Sequence, residues 1–368
     1  NDVFSVIGQV RGERMGTYSD FEALVEHYRD MNAGECMVTI HATGQASKTG
    51  CGARSGCWIC LRVQDDSSME NMIADERFEH LRPLNALRQY LGSQHWNPAK
   101  RNWLARSVDE QGRVKIAPSG YAPAFCRELL QLVLSIQADE MDWSQRNGEP
   151  MRFTLLDERQ LVAIAFLWAR YGYHGYAEAF RIWDEIVNKG ARYRVPEPVT
   201  GHSREAFNAS AKANAATVAF ADSEYEATSN GLRDLEAAVC DVEVTVDKGG
   251  QRYTAFTTDD EFIVDDEGAA MLVDFELERM VDNARHGRRR PTAMFYELLR
   301  MGVVRPRKGS ESTQQRMIRM ANQIERAGIR DVLDDPQALR VALGGNSADM
   351  SSDAGAAINE QLDLLAAL

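Results

Sequence analysis

The stretch Cys51-Gly52-Ala53-Arg54-Ser55-Gly56-Cys57-Trp58-Ile59-Cys60, with Cys36 upstream of it, decides how this chain is read. The spacing is Cys-x14-Cys-x5-Cys-x2-Cys. A closing Cys-x2-Cys pair lets one tight turn present two sulfurs to a single centre, and two further thiolates complete the four-sulfur donor set of a tetrahedral zinc or an iron–sulfur cluster. Zinc ribbons more often carry two such knuckles. One pair with two dispersed cysteines is closer to cluster ligation, and zinc stays the alternative. Disulfides are the third reading, and nothing else in the sequence points to an oxidising compartment. The cysteines of residues 31–61 lie on connections rich in Gly and Ser, with Met37-Val38-Thr39-Ile40 as the only strand candidate. Such a segment has little core of its own, so a metal or a cross-link is expected to hold it. The other two cysteines read differently: Cys126 falls on an apolar helical stripe and Cys240 on a strand, as small buried hydrophobes.

Working outward, the 368 residues are 44% hydrophobic and 26% charged, which describes a globular chain with room for more than one core and excludes disordered, collagenous and mini-protein classes. No run approaches the roughly 20 apolar residues of a membrane helix, and the start lacks the pattern of a secretory signal, so a cytoplasmic protein is expected. The 42 basic and 55 acidic side chains sum to −13, which argues against a surface coated uniformly for nucleic acid but allows a local basic patch.

The expected fold is mostly α with a small β component. Residues 1–30 read as a strand over 3–10 followed by an amphipathic helix carrying Phe21, Leu24, Val25 and Tyr28, with Ser19-Asp20 as its cap. The cysteine segment and its following helices, broken at Pro83, occupy 31–91. A helical region covers 92–195, where 92–117 is polar around Trp96, Trp103 and a Gly112 turn. Pro123 opens a helix over 125–137, and further helices run over 156–169 and 176–187. Residues 196–230 read as a linker or a weakly packed helical connection. A separate small α+β domain is expected over 231–343. It contains a hairpin that alternates along Val242-Glu243-Val244-Thr245-Val246, turns at Gly249-Gly250 and resumes at 252–256, then a strand at Phe262-Ile263-Val264 and helices at 269–283, 292–301 and 312–327. Residues 344–368 read as a mobile tail.

The cysteine segment resembles a known family. Asn32-Ala33-Gly34-Glu35-Cys36, then Cys51 to Cys60 as quoted, then Asp66-Ser67-Ser68-Met69-Glu70 is similar to the DndC and SspD type of phosphoadenosine-phosphosulfate (PAPS) reductase-like proteins of DNA phosphorothioation. The family pattern has Lys where Asp66 or Ser67 stands here. The likeness extends to the helical stretch Gly120-Tyr121-Ala122-Pro123, Arg127-Glu128-Leu129-Leu130, Gln137, Leu161, Ile164 and Trp168, and to an imperfect copy of an Arg-containing element at Ile7-Gly8-Gln9-Val10-Arg11-Gly12-Glu13-Arg14. It covers about half of the chain. The resemblance implies a [4Fe–4S] cluster on Cys36, Cys51, Cys57 and Cys60, within an ATP pyrophosphatase and sulfurtransferase that inserts sulfur into the DNA backbone. Partners implied are DNA, a cysteine desulfurase and other proteins of the phosphorothioation system or of a related anti-phage defence system. The family binds ATP and Mg through a PP-loop, Ser-Gly-Gly-x-Asp-Ser, on an α/β domain. No such motif occurs in these residues, and the expectation is that the domain precedes Asn1, with residues 1–30 as its end, or sits on another chain. No catalytic residue is therefore named. The competing class is a non-catalytic, metal-stapled scaffold or DNA- or partner-binding module of a defence or mobile-element system, a CRISPR-associated one for example.

Arg11 and Arg14 are candidates for phosphate or substrate, since guanidinium forks match such anions, against the plainer reading of a solvated loop. His174, among Tyr171, Tyr173 and Tyr176, reads as part of an aromatic cluster at a helix end or as a contact to a base or nucleotide. The chain's charge is also divided. Residues 219–282 hold 18 acidic and 4 basic side chains, net −14, whereas 285–330 hold 12 basic and 3 acidic, net +9. Within the basic part, Arg288, Arg289, Arg290, Arg305, Arg307 and Lys308 are expected in loops. Arg316, Arg319, Arg326 and Arg330 are expected along one helical face opposite Met317, Met320, Ala321 and Ile324. Such a stripe suits weak, salt-dependent contact with DNA phosphates, or else docking onto the acidic part or a partner.

Overall fold

The computed structural model describes residues 6–7, 9–10, 15–16, 21–31, 58–61, 66–220, 243–248, 251–256, 262–287, 289–307 and 310–344. They are mostly helical with a small strand component. Among them no helix is long and apolar enough to cross a membrane. The chain divides into two compact units, one of residues 1–95 with 195–201 and the other of residues 96–194 with 202–367.

In the first unit Val6, Ile7, Gln9 and Val10 are helical, which corrects the strand expected over 3–10. Ile7 is buried while Val6 and Gln9 are exposed, so burial follows one helical face and does not alternate. Ile7 packs with Val25 of α1 (Glu22–Met31) and with Phe21. Leu24, expected on the apolar stripe, is exposed instead. The cap expected at Ser19-Asp20 lies outside the described residues. After the cysteines, α2 (Ser67–Ile73) starts at Asp66, whose carboxylate accepts the Met69 N–H at 3.2 Å. A 3₁₀ turn, Glu76–Leu81, leads to α3 (Arg82–Gln94). The break expected at Pro83 is there, because Pro83 fits only the first turn of α3, where its missing N–H is no loss. Leu84, Leu87, Tyr90 and Leu91 form the buried stripe of α3.

The second unit opens with β1 (Arg101–Val108) and β2 (Arg113–Tyr121), an antiparallel pair across the Gly112 turn. Residues 92–117 were expected to be merely polar. They form a hairpin because Trp103, Leu104, Ala105, Val114, Ile116 and Ala117 are buried. Helix α4 (Pro123–Asn147) follows and runs well past the expected end at 137, closing at Gly148 in the left-handed conformation. A capping box of Asp157 and Gln160 starts α5 (Glu158–Tyr171). Gly172 ends α5 at φ 66°, and a Cβ there would lie 3.0 Å from the Ala321 side chain, so both conformation and space require glycine. Helix α6 (Glu178–Trp183) passes into a π turn, Asp184–Asn188.

The linker expected over 196–230 is structured in part. Helix α7 (Arg204–Asn214), capped by Ser203, precedes β3 (Ala216–Ala219), which pairs with β2 and completes a sheet of order β1-β2-β3. Phe207 and Val218 are buried, so this stretch has a core to join. The expected hairpin forms from β4 (Glu243–Lys248) and β5 (Gln251–Phe256), with Lys248 opposite Gln251. The short β6 (Phe262–Val264) pairs with β7 (Val304–Pro306). Between them lie α8 (Asp266–Met271), a π turn (Leu272–Glu276), α9 (Leu277–Arg285) and α10 (Ala293–Arg300). After β7 come α11 (Glu311–Ala327) and α12 (Pro336–Ala342). Helix α12 was not expected. The tail beyond Gly344 lies outside the described residues.

Among the described residues two cores organise this unit. Leu134, Leu161, Phe166 and Phe180 share one with Met280, Phe295, Leu298 and Ile318. The helical region 92–195 and the described helices of 231–343 are thus built around one interior, where two domains were expected. Phe166 bridges them, its ring stacked on Phe295 at 4.6 Å and tilted to Phe262 at 4.8 Å. The second core joins Trp103 and Ile116 of the sheet to Phe207, Ile324 and Leu339.

Candidate functional site

Of the four cysteines expected to ligate a metal, Cys60 lies within the described residues, while Cys36, Cys51 and Cys57 do not. Neither do Arg11 and Arg14. Trp58, Ile59, Cys60 and Leu61 make a half-buried turn. Leu61 lies beside α3, since a Cβ added at Gly92 would meet its Cδ2 at 3.7 Å. A thiolate on a turn seated against a helix is a suitable ligand, since the flanking packing fixes its direction and limits water. Among the described residues no three His, Cys, Asp or Glu side chains are grouped to hold a metal, so the site rests on the cysteines of the sequence motif. Further along the sequence, Asp66 stands near the position where the family it resembles has Lys. It is buried and faces the equally buried Arg88, with 3.9 Å between Oδ2 and Nε.

The basic segment is distributed over several elements. Arg288 and Lys308 lie outside the described residues. Arg289 donates to Glu297 at 2.7 Å and lies 5.2 Å from the Tyr176 ring centre. Arg279 reaches the same carboxylate at 2.9 Å, and the Tyr176 hydroxyl donates to it as well. Burial first, and then the bond to Glu297, raise the Tyr176 phenol above its usual range. Arg290 is exposed, and its carbonyl accepts the Ala293 N–H at 2.9 Å. Arg305, on β7, is 3.7 Å from Asp265. The Arg307 carbonyl accepts the Ser310 N–H at 3.0 Å. Arg316 and Arg326 are exposed on α11 and Arg319 is half-buried, while Met320, Ala321 and Ile324 are buried on the other face as expected. Arg330 departs from the expected stripe. Gly328 ends α11 in the left-handed conformation, and Arg330 starts a separate 3₁₀ turn with its guanidinium on Glu325.

Local sequence gave little sign of the interior cations. Arg101 is fully buried, with its guanidinium 4.6 Å from the Tyr121 ring centre and 5.4 Å from that of Phe207, and burial lowers its pKa. Arg170 is also buried. It donates to the Tyr171 hydroxyl at 2.9 Å and to Gln314 Oε1 at 3.3 Å, and lies 4.9 Å from the Tyr171 ring centre. Glu140, almost wholly buried, accepts from the Arg152 backbone and guanidinium, both at 2.7 Å. Cys126 is half-buried, packs against the helical core, and has its thiol pushed up to about 11 by burial, so it is not a reactive nucleophile. Cys240 lies outside the described residues. His174 packs against Trp168 with 4.3 Å between ring centres, and burial pushes its pKa down to about 4.

Compared with known proteins, the chain matches no family model, no curated protein and no solved structure. The aromatic and cationic side chains just described are thus interpreted on their own geometry.

Proposed function

We propose that this chain is the iron–sulfur-binding part of a PAPS reductase-like sulfur-transfer protein of the DNA phosphorothioation type, or of a related anti-phage defence system. The observation that carries it is the Cys57-Trp58-Ile59-Cys60 pair within the motif Cys36 to Cys60, and the seating of its described part on α3 through Leu61 and Gly92 fits a ligand-bearing turn. Cys36, Cys51, Cys57 and Cys60 would hold a [4Fe–4S] cluster, which when bound supplies thiolate-coordinated iron with a tunable potential. The residues around Cys60 would shield the sulfurs and limit solvent access. ATP cleavage and activation of the DNA phosphate belong to a PP-loop domain outside these 368 residues, and the sulfur to a desulfurase partner.

The test is metal content after anaerobic purification. A brown protein holding iron and acid-labile sulfide in equal amounts, with absorbance near about 400 nm, is expected, and Cys57→Ser should lose the iron. A colourless protein with stoichiometric zinc overturns the cluster. Pyrophosphate release from ATP by the full-length gene product then separates the enzyme from a metal-stapled scaffold, which would release none.

A further inference from the structure

The π turn Leu272–Glu276 and α9 border an open groove of about 720 Å³ in the second unit. Across the π turn Leu272, Val273 and Leu277 are buried, whereas Phe275 is 76% exposed and Met271, just before the turn, 61%. The cations on the groove wall are already bound. Lys189 pairs with Asp184, Arg279 with Glu276 and Glu297, and Arg285 lies 3.9 Å from Asp184. Asp282 faces His286 at 3.7 Å. Asp274 and Glu278 are exposed, and among the described residues neither has an ion-pair partner.

Twice elsewhere in this unit, among the described residues, a guanidinium joins a carboxylate to an aromatic ring. Arg152 donates to Glu140 at 2.7 Å and lies 3.7 Å from the Trp143 ring centre. Arg289 donates to Glu297 at 2.7 Å and lies 5.2 Å from that of Tyr176. A guanidinium can do both, because its donors lie in its plane and its weakly hydrated face is free to stack. Phe275, with Asp274 beside it and Glu278 three residues on, has the ring and the carboxylates of this trio without the cation.

The complementary charge stands on α11 of the same unit. Arg316 and Arg326 are exposed on the side opposite the buried Ile318, Ala321 and Ile324, and among the described residues neither has an ion-pair partner. Ten residues separate them, about 15 Å along a helix, against about 12 Å for the eight residues from Asp274 to Asp282. The two stripes match in length and oppose in sign, so the charge division of the sequence reappears as two outward faces of one unit.

We infer that α11 of one copy docks into the groove of a second copy, its Arg316 and Arg326 seated on Asp274, Phe275 and Glu278. Such a contact is heterologous, so each copy keeps one free groove and one free helix, and copies add head to tail. Neither face includes a residue of the cysteine motif.

Sedimentation velocity of the whole chain at up to about 0.3 mM tests it, the range in which a weak surface contact is populated. Species that grow with concentration beyond the dimer are expected. Asp274→Arg with Glu278→Arg blocks the groove alone, and Arg316→Glu with Arg326→Glu blocks the helix alone, so each double variant should stay monomeric. Mixed in equal amounts they should form a dimer that grows no further, since one supplies a working helix and the other a working groove. Phe275→Ser, a milder change, should weaken self-association of the parent chain about tenfold. A parent chain that stays monomeric overturns the proposal, including one that retards a short DNA duplex through Arg316, which would give the α11 face to nucleic acid. So does self-association that persists in both double variants, or a mixture that stays monomeric while both unfold thermally like the parent.

Discussion

Interior and surface cations of this chain answer to different physics. Arg101 and Arg170 sit inside the second unit among aromatic rings, whereas Arg289, Arg305, Arg316 and Arg326 belong to a segment that sequence counts as net +9. Counting charge along the chain treats them alike. In three dimensions Arg289 is bound to Glu297 and Arg305 lies beside Asp265, so part of the apparent patch is neutralised within the fold. The exposed residue Arg316, with Arg326 on the same helix, retains the reach to meet a phosphate. A basic segment therefore indicates nucleic-acid contact only after its internal ion pairs have been subtracted.

Interior cations should give the largest effects. Arg101→Ala leaves a void between Tyr121 and Phe207 and is expected to cost about 3–5 kcal/mol in denaturant unfolding, as other large-to-small core changes do. Arg101→Met, which fills the space without a charge, should cost under about 1.5 kcal/mol. If both cost the same, the charge itself and not the packing is what the site requires.

Next is the pH dependence of His174. Its folded pKa of about 4 lies below the ordinary imidazole value of 6.5, so the unfolded chain binds more protons between the two. Its contribution is present above pH 6.5 and is lost as pH falls toward 4, at up to about 1.4 kcal/mol per pH unit. His174→Phe should flatten that part of the stability profile. A profile unchanged by the substitution would place the acid sensitivity elsewhere.

Surface cations should matter least to stability. Arg289→Ala is expected to cost about 0.2–1 kcal/mol, the range for exposed ion pairs. Arg316→Ala should stay within about 0.5 kcal/mol of the parent. If α11 lies along DNA, the same change should reduce the slope of log affinity against log salt by about 0.9, and an unchanged slope removes Arg316 from the interface.

The two hairpins show what was legible. The β4–β5 pair could be read because Val242, Val244 and Val246 alternate with polar residues before a Gly-Gly turn. The β1–β2 pair was hidden. Arg101 to Ala105 are all buried, charged and polar residues included, so the period of two disappears, and Pro118 interrupts the β2 pattern. The ladder accommodates that proline where its register shifts between Asn102 and Leu104. The missed join between 130–186 and 264–318 has another cause, since helical periodicity identifies an apolar face without naming its partner. The surroundings of His174 were equally illegible, since they exist only once the start of α4, the corner after α5 and the turn after α11 have met. The proposed cysteine site is argued in the opposite way, from a spacing that is local and is written out in full in the sequence.

One feature of the second unit bears on how this protein can change. The chain is fixed at Ala216–Ala219 by pairing with β2, and the Gln323 side chain donates to the Phe220 carbonyl. It is fixed again at Phe262–Val264 by pairing with β7. Both anchors belong to one unit, and the β4–β5 hairpin lies between them in sequence. It is a graft point. Lengthening it costs little beyond loop closure, about 0.6 kcal/mol per doubling. Descendants could exchange that hairpin for another module while every buried residue of the two cores stayed in register.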